Sequence, residues 1–386
     1  MLPREMEVTV DELKHLVSPR ALSGDTMLLN MGPQHPSTHG VLRLVLELDG
    51  EVIQKITPHI GYLHRGVEKL SEHRDYNQIV MLTDRLDYCA SAAANLVYCE
   101  AVEKLLSLEV PRRARYLRTV LAELQRIASH LVWVGSHAMD IGAVTVFLYA
   151  LRERELVLDL FEEFCGARMT YNAMRVGGLP RDIPPGWDKR VLAFCAVMDE
   201  KIAEYETLLT HNRIWLDRTR GVGVISGREA VAIGLSGPPL RASGVRRDVR
   251  KDEPYAAYSE FEFDVPLGAN GDTYDRYLVR IEEFWQSTRI IRQAIEGLPE
   301  GPVLAKVPRM IKPPAGETYH ANESPKGEIG FFIVSDGTST RPYRCRVRPP
   351  SFCNLQALPR LVRGHLVADV VAVIGTIDIV LGEVDR

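Results

Sequence analysis

Two stretches near the N-terminus alternate apolar and polar residues, which predicts β-strands with one buried face. The alternation runs through MLLNMG and then through VLRLVLELDGEVIQKITPHIG, and a period of two is typical of strands. Asp49 and Gly50 interrupt the second stretch and predict a turn. We therefore expect two or three antiparallel strands within residues 26–60, preceded by an N-terminal arm, residues 1–25.

The middle of the chain has the periodicity of long helices. Residues 75–107 contain no proline or glycine, and their apolar positions recur at steps of three and four. Pro111 is suited to the start of the next helix. Together with a short helix in the glycine-rich stretch 221–237, the pattern predicts a helical bundle over residues 61–297, with long helices at 75–107, 112–135, 143–165, 187–212 and 273–297.

The last part of the chain mixes both patterns. Residues 298–320 contain five prolines and are interpreted as a connection. Strands are predicted over 327–347, with a turn at Asp336–Gly337, and a helix over 354–375. The fold class is therefore predicted to be α+β, with residues 298–386 forming a C-terminal α/β segment that completes the core.

Composition narrows the class of protein. Among 386 residues, 46% are hydrophobic and 25% are charged, as in an ordinary globular protein. The net charge of −4 argues against a nucleic-acid partner, which requires a basic excess. The most apolar stretch, 367–382, is interrupted by Asp369 and Asp378, whereas a membrane span needs about 20 apolar residues. We expect neither a transmembrane helix nor a secretory signal.

Several familiar cofactor motifs are missing. The six cysteines include no CxxC pair, so a zinc ion or iron–sulfur cluster held by this chain is not expected. No GxGxxG motif opens a βαβ unit, so the chain is not expected to hold NAD itself.

The densest polar cluster is GPQHPSTHG, residues 32–40. Its prolines and glycines predict a tight, exposed turn between two strands. A histidine in such a loop can bind a metal or transfer protons near neutral pH. A polar hairpin without function is equally compatible with these residues.

Acidic residues in two helical regions are further candidates. Asp84, Arg85 and Asp87 lie among apolar residues and are compatible with a buried ion pair. Asp140 lies where two predicted helices meet, so it is either a helix cap or a functional acid.

Taken together, the motifs resemble one family, the quinone-site subunits of respiratory complex I, the NADH–quinone oxidoreductase, which are also called D subunits or 49 kDa-type subunits. The resemblance extends from Met27 to Arg386. It is carried by these segments: GPQHPSTHG, HIGYLHRGVEK, DRLDY, LRERE, LRASG, PSFCNLQALP and GEVDR.

The family is similar to the large subunit of nickel–iron hydrogenases, which implies the same general architecture. Hydrogenases hold their metals with four thiolates. The matching positions here are Asp87, Ala90, Val380 and Glu383. A nickel–iron centre needs soft thiolate ligands, so the resemblance implies that this chain binds no metal.

The resemblance also implies a quinone site. His39 and Tyr88 match the family's donors to the quinone headgroup, and Asp140 matches the aspartate paired with the histidine. Thr38 and Gly40 flank His39 and are expected to contribute to the quinone-binding loop. Both donors would stabilise the negative charge that forms on reduction.

The implied partners are other members of the complex. The tetranuclear iron–sulfur cluster would lie in the adjacent iron–sulfur protein, the B subunit, with the C subunit, the ferredoxin-like I subunit and the membrane-embedded H subunit as further partners. NAD would be bound only by other chains, and the hetero-oligomer would lie peripherally on the cytoplasmic face of the cell inner membrane. Two alternatives remain: a non-catalytic scaffold with the same fold and, less favoured, a hydrogenase subunit.

Two positions concern the surroundings of that cluster. Arg65, in HRGVEK, matches an arginine near it. Thr170 stands where many family members have a histidine. Because threonine cannot accept a proton, we expect the cluster potential to be lower and nearly independent of pH.

Overall fold

The computed structural model describes residues 26–34, 38 and 40–386. The predicted N-terminal arm therefore lies outside the described residues. The model combines two antiparallel sheets with a layer of long helices, which confirms the α+β prediction. The strands are β1 Thr26–Met31, β2 Arg43–Asp49, β3 Val52–His59, β4 Gly316–Ser324, β5 Gly327–Ser335 and β6 Arg344–Arg348.

The helices differ greatly in length, from one turn to eight. In chain order they are α1 Val67–Ser71, α2 Tyr76–Thr83, α3 Ser91–Leu106, α4 Arg112–Asp140, α5 Val144–Cys165, α6 Trp187–Tyr205, α7 Arg213–Thr219, α8 Gly227–Ile233, α9 Pro238–Arg241, α10 Val249–Asp252, α11 Thr273–Glu296, α12 Pro350–Leu355, α13 Leu358–Val362, α14 Val367–Ile377 and α15 Leu381–Asp385. Helix α6 continues into a π-helical turn, Glu206–Thr210. Within the described ranges, no helix is long and apolar enough to cross a bilayer.

The N-terminal sheet has the order β1-β2-β3 and is antiparallel throughout. Strand β2 buries Leu44, Leu46 and Leu48 on one face, as its alternation predicts. Asp49 pairs with Val52, so the chain reverses at Gly50, where a positive φ of 57° suits glycine.

The long first helix predicted over residues 75–107 is interrupted, and that prediction was wrong. Helix α2 ends at Thr83 and α3 begins at Ser91. The Ser91 hydroxyl donates to the Asp84 carbonyl at 2.9 Å, and the Asp87 carboxylate accepts from the Cys89 amide at 3.0 Å. These side-chain hydrogen bonds compete with the backbone hydrogen bonds of a helix, so residues 84–90 leave the helix. Tyr88 therefore lies in the break between α2 and α3 instead of on one continuous helix.

The C-terminal sheet, of order β4-β5-β6, begins earlier than predicted. Strand β4 occupies part of the proline-rich stretch that was interpreted as a connection. The tight turn lies at Pro325–Lys326, because Ser324 pairs with Gly327. Asp336 and Gly337 instead begin the longer link between β5 and β6.

The helix predicted over 354–375 is three helices, α12 to α14, because Pro359 and Gly364 interrupt it. Two apolar cores result. One joins the long helices α3–α6 and α11 to the C-terminal sheet. The other joins the N-terminal sheet to α13–α15, which brings the two ends of the described chain together.

Candidate functional site

The C-terminal residues 381–386 collect three of the residues predicted for the site. A Cβ added at Gly40 would lie 3.6 Å from Leu381 Cδ1, and one added at Gly382 would lie 3.2 Å from the Tyr88 ring. The Arg65 guanidinium donates to the Gly382 carbonyl at 2.6 Å. Residues far apart in sequence therefore meet at α15.

Tyr88 lies in the break between α2 and α3 and keeps 36% of its surface exposed. Its ring rests on the backbone at Gly382, where any side chain would also be only 2.7 Å from the Leu86 carbonyl oxygen. Burial, then the neighbouring Cys89 and Asp87, raise the pKa of the Tyr88 phenol. The phenol consequently keeps its proton at neutral pH and can donate it in a hydrogen bond.

The loop that carries the histidines is described only at its two ends. His39 lies outside the described residues. Thr38 is buried, and its Cγ2 lies close to Gly32, where a Cβ would approach within 3.2 Å. Gly40 is exposed, with a φ of 121°. Gly40 therefore lies beside α15.

Asp140 is the last residue of α4 and is half-buried. It does not cap the start of α5, whose first residue is Val144. One turn earlier, His137 packs on Gly375 of α14 and contacts the Ala372 carbonyl at 3.1 Å. The end of α4 is thus held against the helix that precedes α15.

A buried lysine lies behind Tyr88. The Lys326 ammonium is 3.1 Å from the Asp87 carboxylate and 3.7 Å from the Asp378 carboxylate, and it donates to the Ser129 hydroxyl at 2.9 Å. Lys326 is 1% exposed. Burial alone would lower its pKa, but Asp378 and Asp87 outweigh burial and raise it. The ammonium is therefore charged.

Glu383 completes this buried group and is fully buried. One carboxyl oxygen accepts from both the amide and the hydroxyl of Ser351. The other has no hydrogen-bond partner in the described part of the chain. Burial, and next the Asp87 charge, raise the pKa of Glu383 to about 8.

Two positions that match hydrogenase ligands, Asp87 and Glu383, therefore lie near each other in one buried group. Among the described residues, no group of three or more His, Cys, Asp or Glu side chains is arranged to hold a metal ion. Burial raises the pKa of the adjacent Cys89 thiol to about 12, so it remains a thiol.

The two predicted cluster-environment residues lie in different loops. Arg65 is half-buried beside α15. Thr170 follows α5 in a strained loop, with φ values of 50° at Thr170 and 45° at Asn172. The Asn172 amide donates to the Asp84 carboxylate at 3.2 Å, and burial raises the pKa of Asp84 to about 6.

Sequence reasoning missed Lys326 and the pairing of Asp87 with it. In the sequence Pro-Lys-Gly, a lysine is expected in an exposed turn. The apolar surroundings of Asp84, Arg85 and Asp87 were compatible with a buried ion pair; Asp87 forms one with Lys326, which is distant in sequence. Arg85 pairs with Asp84 at 3.4 Å instead.

Comparison with known proteins agrees with this picture. The family model for the respiratory-chain NADH dehydrogenase 49 Kd subunit matches residues 140–313 and 305–386. The D 2 subunit of the NADH-quinone oxidoreductase of Solibacter usitatus is 56% identical over 365 residues, which covers 95% of this chain and 98% of that protein.

Other D subunits are similar to the same extent. Those of Geotalea uraniireducens and Bacillus thuringiensis are 55% and 53% identical, over 94% of this chain and 100% and 99% of theirs. The chain therefore belongs to the family of NADH-quinone oxidoreductase D subunits, the 49 kDa subunits of complex I.

Proposed function

We propose that this chain forms the quinone headgroup site of its complex and couples quinone reduction to proton translocation. One observation carries the proposal: residues 381–386 bring together Gly40, at the end of the histidine loop, Tyr88 and Arg65. One surface is therefore adjoined by a protonated hydrogen-bond donor, a cation and one end of the loop. A few convergent polar groups of this kind orient a small ligand such as a carbonyl headgroup.

The proposed chemistry uses few residues. When the quinone is reduced, negative charge develops on its two oxygens. The Tyr88 hydroxyl donates to one oxygen and His39 to the other, so both stabilise the charge and supply protons. Asp140 then favours the protonated histidine, because a nearby carboxylate raises an imidazole pKa.

The wider context extends the proposal. Electrons would come from the tetranuclear iron–sulfur cluster of the B subunit, and the C, I and H subunits would be neighbours at the cytoplasmic face of the inner membrane. This chain would have the architecture of the nickel–iron hydrogenase large subunit, with the vacated metal cavity beside the quinone. A scaffold without a catalytic role would tolerate loss of the Tyr88 hydroxyl, which makes this residue the best test.

Tyr88→Phe is expected to lower quinone turnover about 10- to 100-fold. The substitution removes one hydroxyl whose hydrogen bond to a charged oxygen contributes about 1.5–3 kcal/mol, and about 1.4 kcal/mol corresponds to a factor of ten. Quinone reductase kcat and KM of the assembled complex measure the effect.

Tyr343→Phe is the matched control, because Tyr343 is 73% exposed and lies outside the site. Electron transfer from NADH to an artificial acceptor should be unchanged in both variants. Full quinone turnover in Tyr88→Phe would overturn the proposed role and favour the scaffold.

The neighbouring cluster is expected to have a lower potential that is nearly independent of pH between about pH 6 and 8. Thr170 cannot titrate there, and the pKa of about 6 leaves Asp84 ionised over most of that range. Redox titration by electron paramagnetic resonance at several pH values measures the slope. Thr170→His should make the cluster potential depend on pH at the lower end of this pH range, since a histidine titrates near about 6.5. A potential that changes with pH in the unaltered chain would contradict the prediction.

A further inference from the structure

The buried charged group behind Tyr88 contains three acidic side chains, which outnumber the cations close to them. Asp87, Asp378 and Glu383 are all at least nine-tenths buried. The Lys326 ammonium has ion-pair distances to Asp87 and Asp378, and in the described ranges no such distance joins it to Glu383. Glu383 is thus the one of the three carboxyl groups that does not form an ion pair with Lys326.

A second buried cation acts on Asp378. Arg280 of α11 is fully buried, with its guanidinium 4.5 Å from the centre of the Trp133 ring. Burial lowers the pKa of Arg280, and the Asp378 charge is the main opposing influence. Both Lys326 and Arg280 therefore act on Asp378.

Glu383 has the surroundings of a neutral acid. An ionised carboxylate without a cation is costly to bury, and a like charge adds to the cost. The two Ser351 hydrogen bonds reach one oxygen, which leaves the other, fully buried oxygen to carry a proton. The charges that act on Glu383 are those of Asp87, which raises its pKa, and Lys326, which lowers it by less than burial and Asp87 raise it; Arg65 lies at the adjoining Gly382 carbonyl.

This acid adjoins the residues that flank and support the proposed donor. Gly382, next to Glu383 in sequence, supports the Tyr88 ring, and Asp87, whose charge acts on Glu383, precedes Tyr88. A proton on Glu383 therefore lies in the buried group directly behind the tyrosine that would lose one.

We infer that Glu383 holds a proton in the resting protein and is the internal reserve that restores the Tyr88 proton after quinone reduction. The inference rests on the proposed function. The reduced quinone takes the phenolic proton, the Tyr88 phenolate takes the proton of Glu383, and the Glu383 carboxylate is re-protonated from outside; no electron moves in these transfers. The direction is favourable, since burial raises the pKa of Tyr88 beyond that of an ordinary tyrosine, whereas the pKa of Glu383 is about 8.

The pH dependence has a definite sign. Glu383 carries its proton below about pH 8 and loses it above, so the reserve is empty on the alkaline side. Quinone turnover of the unaltered complex should fall as pH rises through this range.

Glu383→Gln removes the labile proton of the carboxyl group but keeps the shape and the neutral charge of the side chain. Glutamine is neutral and can still accept from Ser351, so a purely structural role would be preserved. We expect turnover at neutral pH to fall about 10- to 100-fold, at the lower end of what a positioned proton donor contributes, and the alkaline decline near pH 8 to disappear. Glu317→Gln is the control, because Glu317 is exposed.

Infrared difference spectroscopy of the assembled complex, without quinone, tests the proton directly. A carbonyl stretch of a protonated carboxyl group should vanish as pH rises through about 8, and should be absent in Glu383→Gln. Absence of that band in the unaltered complex would overturn the inference. The inference would also be overturned if the unaltered complex showed the band but Glu383→Gln kept full quinone turnover. That outcome would leave the Tyr88 assignment intact. Failure of the proposed function would instead appear as full turnover in Tyr88→Phe.

Discussion

Lys326→Met is expected to eliminate quinone turnover and to destabilise the subunit. Methionine fills a similar volume but leaves the buried Asp87 and Asp378 carboxylates without the ammonium that lies 3.1 and 3.7 Å away. Removing one partner of a buried ion pair costs about 3–5 kcal/mol. Turnover and the temperature of half-inactivation of the assembled complex measure the two effects.

Two further variants make this prediction specific. Lys306→Met removes an exposed lysine and should have no effect on either measurement. Lys326→Met combined with Asp87→Asn should recover part of the lost stability, since one uncompensated charge is removed with the ammonium. Unaltered heat stability of Lys326→Met would show that the ion pair does not hold residues 84–90 in place.

The sequence predicts elements best where local pattern and final packing agree. Strand β2 alternates because one face lies on the C-terminal helices, and α4 has a helical period because a neighbouring helix covers its apolar face. The break at residues 84–90 could not be predicted in this way. Besides the local hydrogen bonds of Ser91 and Asp87, it involves the ion pair of Asp87 with Lys326, which a distant hairpin turn supplies.

The same distinction applies to the residues of the candidate site. Tyr88, Gly40 and Arg65 were identified by the motifs around them, and the structure brings them to α15. Lys326 gave no signal, because a lysine in a Pro-Lys-Gly turn is normally solvated. Its burial follows only from the position of the turn against α4, where Ser129 accepts its hydrogen bond.

A second buried network, centred on Glu123 of α4, is expected to be the most sensitive point of the helical layer. Its carboxylate accepts from the Tyr258 hydroxyl at 2.6 Å and from the Ser287 hydroxyl at 2.7 Å. It also faces the guanidinium groups of Arg126 at 3.1 Å and Arg250 at 3.3 Å, all fully or almost fully buried. Burial alone would raise the pKa of Glu123, but the two arginines lower it, so the group is an anion.

Glu123→Ala should therefore cost about 3–5 kcal/mol, since it leaves buried guanidinium charge poorly compensated. We expect the assembled complex to accumulate poorly and to be digested faster by protease. Glu123→Gln keeps an acceptor for Tyr258 but not the charge, so it should be intermediate. Asp217→Ala, which removes an exposed ion pair with Arg213, should cost less than about 1 kcal/mol. Equal tolerance of Glu123→Ala and Asp217→Ala would mean that the buried arginines are stabilised by their remaining partners, Asp248 and backbone carbonyls, and that Glu123 is dispensable.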